Sequence, residues 1–487
     1  MKSAKNELVR TIRKVKFIVA LFAYCLLPAA YCFSQSTETT PPPKIIVIGK
    51  ILIVGNKTTK NKIILRELAF QESDTILRED ISLKMKSAKQ NLLNTSLFNF
   101  VSVDTLPVDK EHFDIMISVS ERWYIWTIPI IGVQDRNFNV WWETKSLDRA
   151  YYGFSINKEN FRGRKEELGF FAQFGYTERY GIAYSIPYLN KNQNSGAGFS
   201  FTYSRNHEIP YETFNNQVIY FDDHEKYLRE EFIGKLYYTY RIGIHNSHYL
   251  EGKLVNSTID DTLNKITTNY FIGNQTQIHY FALDYKFKSD YRDSKVYALQ
   301  GYMYEFQCTR LGLGLLKDET MDVTNFYLTL KDFQKISNRF FAAESFRIKF
   351  SPNTYQPYYV QRALGWNNDY VRGYEYYAID GQRFGLAKIG LKYEIIKPKV
   401  KNMPSISFEK FSTFHYALYG GIFADAGYVD DHMYSISPFY NPLANNFLYG
   451  AGAGIDYVTY YDVVIRFEYS INLMLETGFF VHFNAGI

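Results

Sequence analysis

Val463-Val464-Ile465-Arg466-Phe467-Glu468-Tyr469-Ser470-Ile471 repeats with a period of two. Val463, Ile465, Phe467, Tyr469 and Ile471 share one face, while Val464, Arg466, Glu468 and Ser470 share the other. An extended backbone turns successive side chains to opposite sides, so the segment is a strand with an apolar face and a charged face. The rest of the composition says where the apolar face goes. Aromatic residues make up 18% of the 487 residues, with 43 Tyr and 39 Phe, far above ordinary soluble usage. Mean hydropathy is nevertheless only -0.27, and beyond the N-terminus no run of about 18 apolar residues occurs, which excludes helical membrane spans. A closed barrel reconciles many aromatics with low hydropathy, because its strands alternate lipid-facing and lumen-facing residues and its tyrosines and phenylalanines gather in interfacial girdles.

Working outward from this strand, the same amphipathic pattern recurs from about Trp123 to the end. Strands are expected near 124–134, 149–157, 166–176, 179–188, 196–206, 228–242, 245–255, 276–288, 296–308, 322–334, 338–350, 383–396, 413–428, 446–458, 460–472 and 477–487, an even number near sixteen. Short connections, such as Asn160 to Arg164, alternate with longer polar ones. Parity carried to the strand at 413–428 puts Phe423, Asp425 and Gly427 inward. In the strand at 383–396 it puts Lys388, Lys392 and Glu394 inward.

Between two such segments lies Asp369-Tyr370-Val371-Arg372-Gly373-Tyr374, followed by Asp380-Gly381. Arginine followed by glycine belongs at a loop tip, and a loop folded into the lumen would bring a guanidinium that needs a carboxylate in bidentate geometry. Asp425 and Glu394 are the candidates, unless both are solvated lumenal charges. The glycines Gly450, Gly452 and Gly454 thin one strand face, which suits curvature or close approach of a loop. Together, Val371-Arg372-Gly373-Tyr374 and the later Phe423-Ala424-Asp425-Ala426-Gly427 resemble two signature motifs of the outer-membrane assembly superfamily that includes BamA, TamA and the two-partner secretion transporters. That resemblance implies a sixteen-stranded outer-membrane barrel, with Phe423, Asp425, Gly427 and Glu394 as lumenal partners of the loop.

The N-terminal part reads differently. Residues 1–34 form an expected secretory signal: six cations precede the apolar run Phe17 to Ala30, and a Ser/Thr/Pro linker at 35–43 follows. Removing it takes the net charge from +5 to about zero, so no basic nucleic-acid surface is indicated. Cys25 and Cys32 leave with the signal, and a lone Cys308 forms no internal disulfide. Residues 44–122 read as strand, helix, helix, strand, strand. Ile45 to Val54 comes first, followed by a helix with Thr58 or Thr59 as its N-cap; a second helix near 78–94 stripes Ile81, Met85, Ala88 and Leu92, and two alternating strands close the unit. With Leu97-Phe98 and Glu121-Arg122, this order resembles one POTRA domain, fewer than BamA carries. An exposed edge of its sheet could accept an incoming strand.

The barrel then occupies 123–487. Its seam, between the strand containing Pro129 and the last strand with Gly478, Phe483 and Ile487, is expected to be poorly paired. Proline removes a ladder donor and glycine weakens a strand. The resemblance implies an aromatic terminal residue, where this chain has Ile487.

Phosphate loops, zinc spacings and serine-histidine arrangements do not emerge, and His432 beside Asp430-Asp431 lacks convergent ligands. The chain is therefore expected to be no enzyme and to need no cofactor or metal. Its expected partners are the outer-membrane bilayer, unfolded outer-membrane or secreted polypeptides, and periplasmic chaperones or accessory assembly proteins. Two functions stay open: insertion or translocation of barrel substrates through the POTRA edge and the seam, or a secretion pore or passive channel.

Overall fold

A computed structural model describes residues 45–133, 147, 149–267, 269–403, 409–433, 441–459 and 461–483. The expected signal and linker lie outside these residues, as does Ile487 of the seam.

The N-terminal domain is a four-stranded sheet with two helices. Its elements are β1 (Ile45–Val54), α1 (Asn61–Leu65), β2 (Thr75–Leu77), α2 (Ile81–Leu93), β3 (Phe98–Pro107) and β4 (His112–Glu121), in sheet order β2-β1-β4-β3. β1 runs parallel to β4 and β3 antiparallel to it. The amphipathic stripe of α2 supplies Met85, Ala88 and Leu92 to a core with Ile46, Ile64 and Ile115. Leu97 and Phe98 are buried in that core. Two local expectations change. β2 is a three-residue strand that alternation could not reveal, and the N-cap position of α1 is Lys60, whose side chain makes no capping hydrogen bond, rather than a threonine. The Thr59 hydroxyl is engaged elsewhere, by Tyr124 and by the Asn160 amide.

A single 16-stranded sheet follows. Its first half contains β5 (Ile125–Val133), β6 (Ala150–Phe161), β7 (Glu166–Gly175), β8 (Thr177–Ile186) and β9 (Ser195–Asn206). A separate hairpin, β10 (Glu208–Phe214) with β11 (Gln217–Asp222), then interrupts it. The wall resumes with β12 (Arg229–Ile242), β13 (Asn246–Ile259), β14 (Gln277–Asp290), β15 (Gly301–Leu311), β16 (Val323–Lys335) and β17 (Phe340–Phe350). It ends with β18 (Arg383–Asn402), β19 (Thr413–Asp430), β20 (Phe447–Val458), β21 (Val464–Asn472) and β22 (Thr477–Phe483). Every strand pairs antiparallel with its neighbour in the wall, β9 pairing directly with β12 across the hairpin. Sequence parity at β21 holds along its length: Val464, Arg466, Glu468, Ser470 and Asn472 are buried while Phe467, Tyr469 and Ile471 are exposed. One-residue slippage would put Arg466 and Glu468 on the apolar face, so register is strongly specified.

The sheet curls into a barrel. At the end facing the POTRA-like domain, the Trp123 backbone N–H donates to the Tyr461 hydroxyl at 3.3 Å, and Arg122 grips Asp462 through two hydrogen bonds of 2.7 and 2.9 Å. The start of β5 is thereby brought beside the turn before β21. Trp126, Phe411 and Tyr461 pack ring against ring at this closure. Among the described residues no ladder joins β5 to β22, which are the two ends of the sheet. Pro129 is exposed in β5 opposite Phe154; Gly478 and Phe483 lie in β22 opposite Ser470 and Ile465.

The isolated segment 44–122 is expected to unfold in one cooperative transition, since its core is nearly self-contained. The midpoint should fall below that in the full chain, because Tyr188 of the barrel also packs into this core. A melt without cooperativity would refute a separable domain.

Candidate functional site: a loop pinned inside the barrel

The connection from β17 to β18, residues 351–382, folds against the inner wall. Val371 is 1% exposed and packs with Leu364, Leu386, Val429 and Leu448. That contact places Arg372 over β19. Its backbone N–H donates to Asp425 Oδ2 at 3.1 Å, its Nε to Oδ2 at 2.9 Å, and its Nη2 to Oδ1 at 2.6 Å. The guanidinium also lies 3.7 Å from the centre of the Phe423 ring. The two side chains of the pair are 5% and 0% exposed, so the charges are desolvated and the geometry is bidentate.

Two glycines make the approach possible. Gly373 has φ +94, a left-handed conformation that a side chain would strain, and it lets the loop turn against Asn472 of β21. At Gly450 in β20, an added Cβ would sit 1.8 Å from the Arg372 carbonyl oxygen. Gly427 lies inward beside Val371. Tyr374 is buried, its hydroxyl accepting from the Leu473 N–H at 3.3 Å, and Asn472 Nδ2 donates to the Gly373 carbonyl at 3.0 Å. Arg372 therefore holds β19 while the residues after it hold the β21 to β22 hairpin.

Glu394 does not join this pair. It is buried and inward on β18, but pairs in register with Tyr419, whereas Asp425 pairs with Lys388. Six residues of strand are about 20 Å. Parity identified the face correctly and left the height along the barrel undetermined.

Sequence reasoning missed three arrangements. Arg466 of β21 makes a second buried bidentate pair with Asp456 of β20, at 2.6 and 2.9 Å, and Tyr297 donates to Asp456 at 2.7 Å. Glu375, next to the loop motif, meets Glu468 and His482 of the last two strands. Burial and the neighbouring Glu468 push its carboxyl well above the usual carboxylate range. The third joins the domains. Glu67 accepts from Arg241, near the end of β12, at 2.8 and 2.9 Å, and from the Tyr188 hydroxyl at 3.1 Å. Burial works against ionisation of Glu67, yet the hydrogen bond and charge of Arg241, with Lys165 and Arg66, bring its carboxyl down to about 2.

At the end of the barrel away from this junction, the β10 to β11 hairpin interlocks with the loop. Thr213 donates to Asp380, Ala378 N–H donates to the Asn216 carbonyl at 2.8 Å, and Asn441 Nδ2 donates to the Thr213 carbonyl at 2.9 Å. Burial pushes the Asp380 carboxyl up.

Fold and site together define a class: a POTRA domain followed by a sixteen-stranded barrel with an arginine-bearing loop pinned inside it. Residues 46–122 match the family model described as POTRA, surface antigen variable number repeat. That match covers the N-terminal domain alone, and for the barrel the likeness is one of fold. Among solved structures it is similar to CdiB from Escherichia coli, with 12% identity over 94% of this chain and 92% of that one, at a TM-score of 0.51. BamA from Haemophilus ducreyi lacking POTRA domains 1-3 is also similar, with 15% identity over 90% and 83% of the two chains and a TM-score of 0.49. No curated protein matches the sequence significantly.

Proposed function

We propose that this chain is a non-enzymatic outer-membrane factor that inserts or translocates polypeptides, with its POTRA domain in the periplasm. The observation that carries the proposal is the asymmetry of the wall. β18 to β22 are braced from inside by the loop, whereas β5 and β22 share no ladder among the described residues. A substrate strand could pair at that seam and bury its apolar face in lipid, gaining free energy without nucleotide hydrolysis. The POTRA sheet offers a matching first station. Its ten-residue edge strand β3 pairs only with β4 among the described residues, and main-chain hydrogen bonds there would capture an extended segment. Unfolded outer-membrane or secreted polypeptides, periplasmic chaperones and accessory assembly proteins are the proposed partners, and the bilayer surrounds the barrel.

Interlocking of the hairpin with the loop across one mouth supports lateral insertion over a passive channel. Export through the lumen, the second reading, is supported by two open clefts of about 820 and 590 Å³, the first lined by Glu167, Lys235 and Glu251 together with Ser96 and Arg122, the second by Lys253, Asp284 and Arg347. Depletion followed by outer-membrane proteomics separates the two: selective loss of integral barrels is the expected result, and loss of one secreted protein alone would favour export. A photo-crosslinker at exposed Asp104 on β3 is expected to capture unfolded barrel polypeptides in the periplasm, whereas one at exposed Leu83 on α2 should not. Equal capture at both positions would remove the role of the edge.

A further inference from the structure

We propose that Glu375, Glu468 and His482 form a binding site for a divalent transition-metal ion, Zn²⁺ by its ligand chemistry, which ties the lumenal loop to the last strand. Three elements contribute one ligand each: the loop, β21 and β22. One ligand atom from each lies within 4.8 Å of the others. His482 Nε2 is 3.1 Å from Glu468 Oε1 and 3.8 Å from Glu375 Oε1. Zinc bonds of about 2.0 to 2.2 Å in tetrahedral geometry separate neighbouring ligand atoms by roughly 3.4 Å, between those two distances.

The surroundings turn each ligand toward a common centre. The Tyr370 hydroxyl sits 3.2 Å from His482 Nδ1, and in the tautomer that carries its proton on Nδ1 the Nε2 lone pair faces the two carboxylates. Lone pair and carboxylates repel unless something positive stands between them. Gly373 N–H donates to Glu375 Oε2 at 2.8 Å, which turns Oε1 toward the imidazole. Such bonds from a second group to each ligand are typical of metal centres. Glu468 is fully buried, and its Oε2 has no hydrogen-bond partner. That oxygen, or a water, would complete the coordination.

The neighbouring cations are largely committed elsewhere. Arg372 is held by Asp425, Arg466 by Asp456, and the Lys388 ammonium lies 4.3 Å from the centre of the Tyr370 ring. The imidazole and the mixed nitrogen and oxygen donor set favour Zn²⁺ over Mg²⁺ or Ca²⁺, which prefer oxygen-only shells. A proton shared within the cluster is the competing occupant, and the experiment decides between the two.

Purified full-length protein in detergent micelles, stripped with a chelator, is titrated with Zn²⁺ at pH 7. One saturable site per chain is expected. Glu468→Gln and His482→Gln should each weaken it at least tenfold, and Tyr370→Phe by a smaller factor, while His432→Gln leaves it within twofold. Heat-modifiable gel mobility checks that each variant is folded. Co²⁺ added to the unmutated chain supplies a readout independent of the variants: visible d–d bands without sulfur charge transfer are expected. Absence of a stoichiometric site, retention of full affinity in both ligand variants, or a thiolate band implicating Cys308 would each overturn the proposal.

Discussion

Asp425→Ala is expected to lower the stability of the folded barrel by about 3 to 5 kcal/mol, the cost of leaving a buried arginine without its carboxylate. An exposed pair would cost only about 0 to 1 kcal/mol, so the measurement discriminates sharply. Arg372→Ala should be damaging but milder, for two reasons visible in the geometry. The Arg372 backbone N–H still donates to Asp425, and Lys388, directly opposite Asp425 in the β18 to β19 ladder, can move toward the vacated carboxylate. The double variant should be little worse than Asp425→Ala alone, since once one charge is gone the other is only a liability. Midpoints of heat-modifiable mobility on semi-native gels report the effect. Additive losses, or none, would mean that this pair does not pin the loop.

The second large effect concerns the junction between the domains. Glu67→Ala leaves Arg241 and Arg66 facing each other in a part-buried site, and docking of the POTRA domain is expected to weaken by about 3 kcal/mol or more. The pH dependence has a definite sign. The folded carboxyl of Glu67 lies near 2, below its ordinary value of 4.5. Its contribution is therefore complete above about pH 4.5 and is lost as pH falls toward 2. A shift of this size corresponds to about 3 kcal/mol. Spin labels on α2 and on the turn after β12 should report a single short distance at pH 7 and a broadened distribution near pH 3. Glu67→Ala should show the broad distribution at both. An unchanged distance in the variant would assign docking instead to Arg122 with Asp462 and to the aromatic closure around Tyr461.

Neither pair could have been written down from composition alone, yet they differ in how far the sequence leads toward them. For Arg372 it leads most of the way. A period of two assigns the residues of β21, of β18 as far as Glu394 and of β19 from Tyr419 onward to the outer or the lumenal face, and an arginine beside glycine in a polar connection must find a buried acid. The helical stripe of α2 and the alternation of β1 and β4 likewise follow from local spacing, because covalent geometry sets those periods and water sorts the faces. What parity cannot supply is height. Glu394 and Asp425 share the lumen, and the depth to which the loop descends selects Asp425. That depth follows from Gly450 clearing the wall and from Val371 fitting its apolar pocket, both contacts between residues far apart in the chain. The same holds for Glu67 with Arg241, for Arg466 with Asp456, and for Glu375 with Glu468 and His482. Their partners lie on different strands or domains, so closure of the barrel and docking of the POTRA domain decide them. The β10 to β11 hairpin is a related case: its strands are short and lack a sharp outward-facing alternation, and it is held by Tyr358, Ala378 and Asp380 near the two ends of the loop.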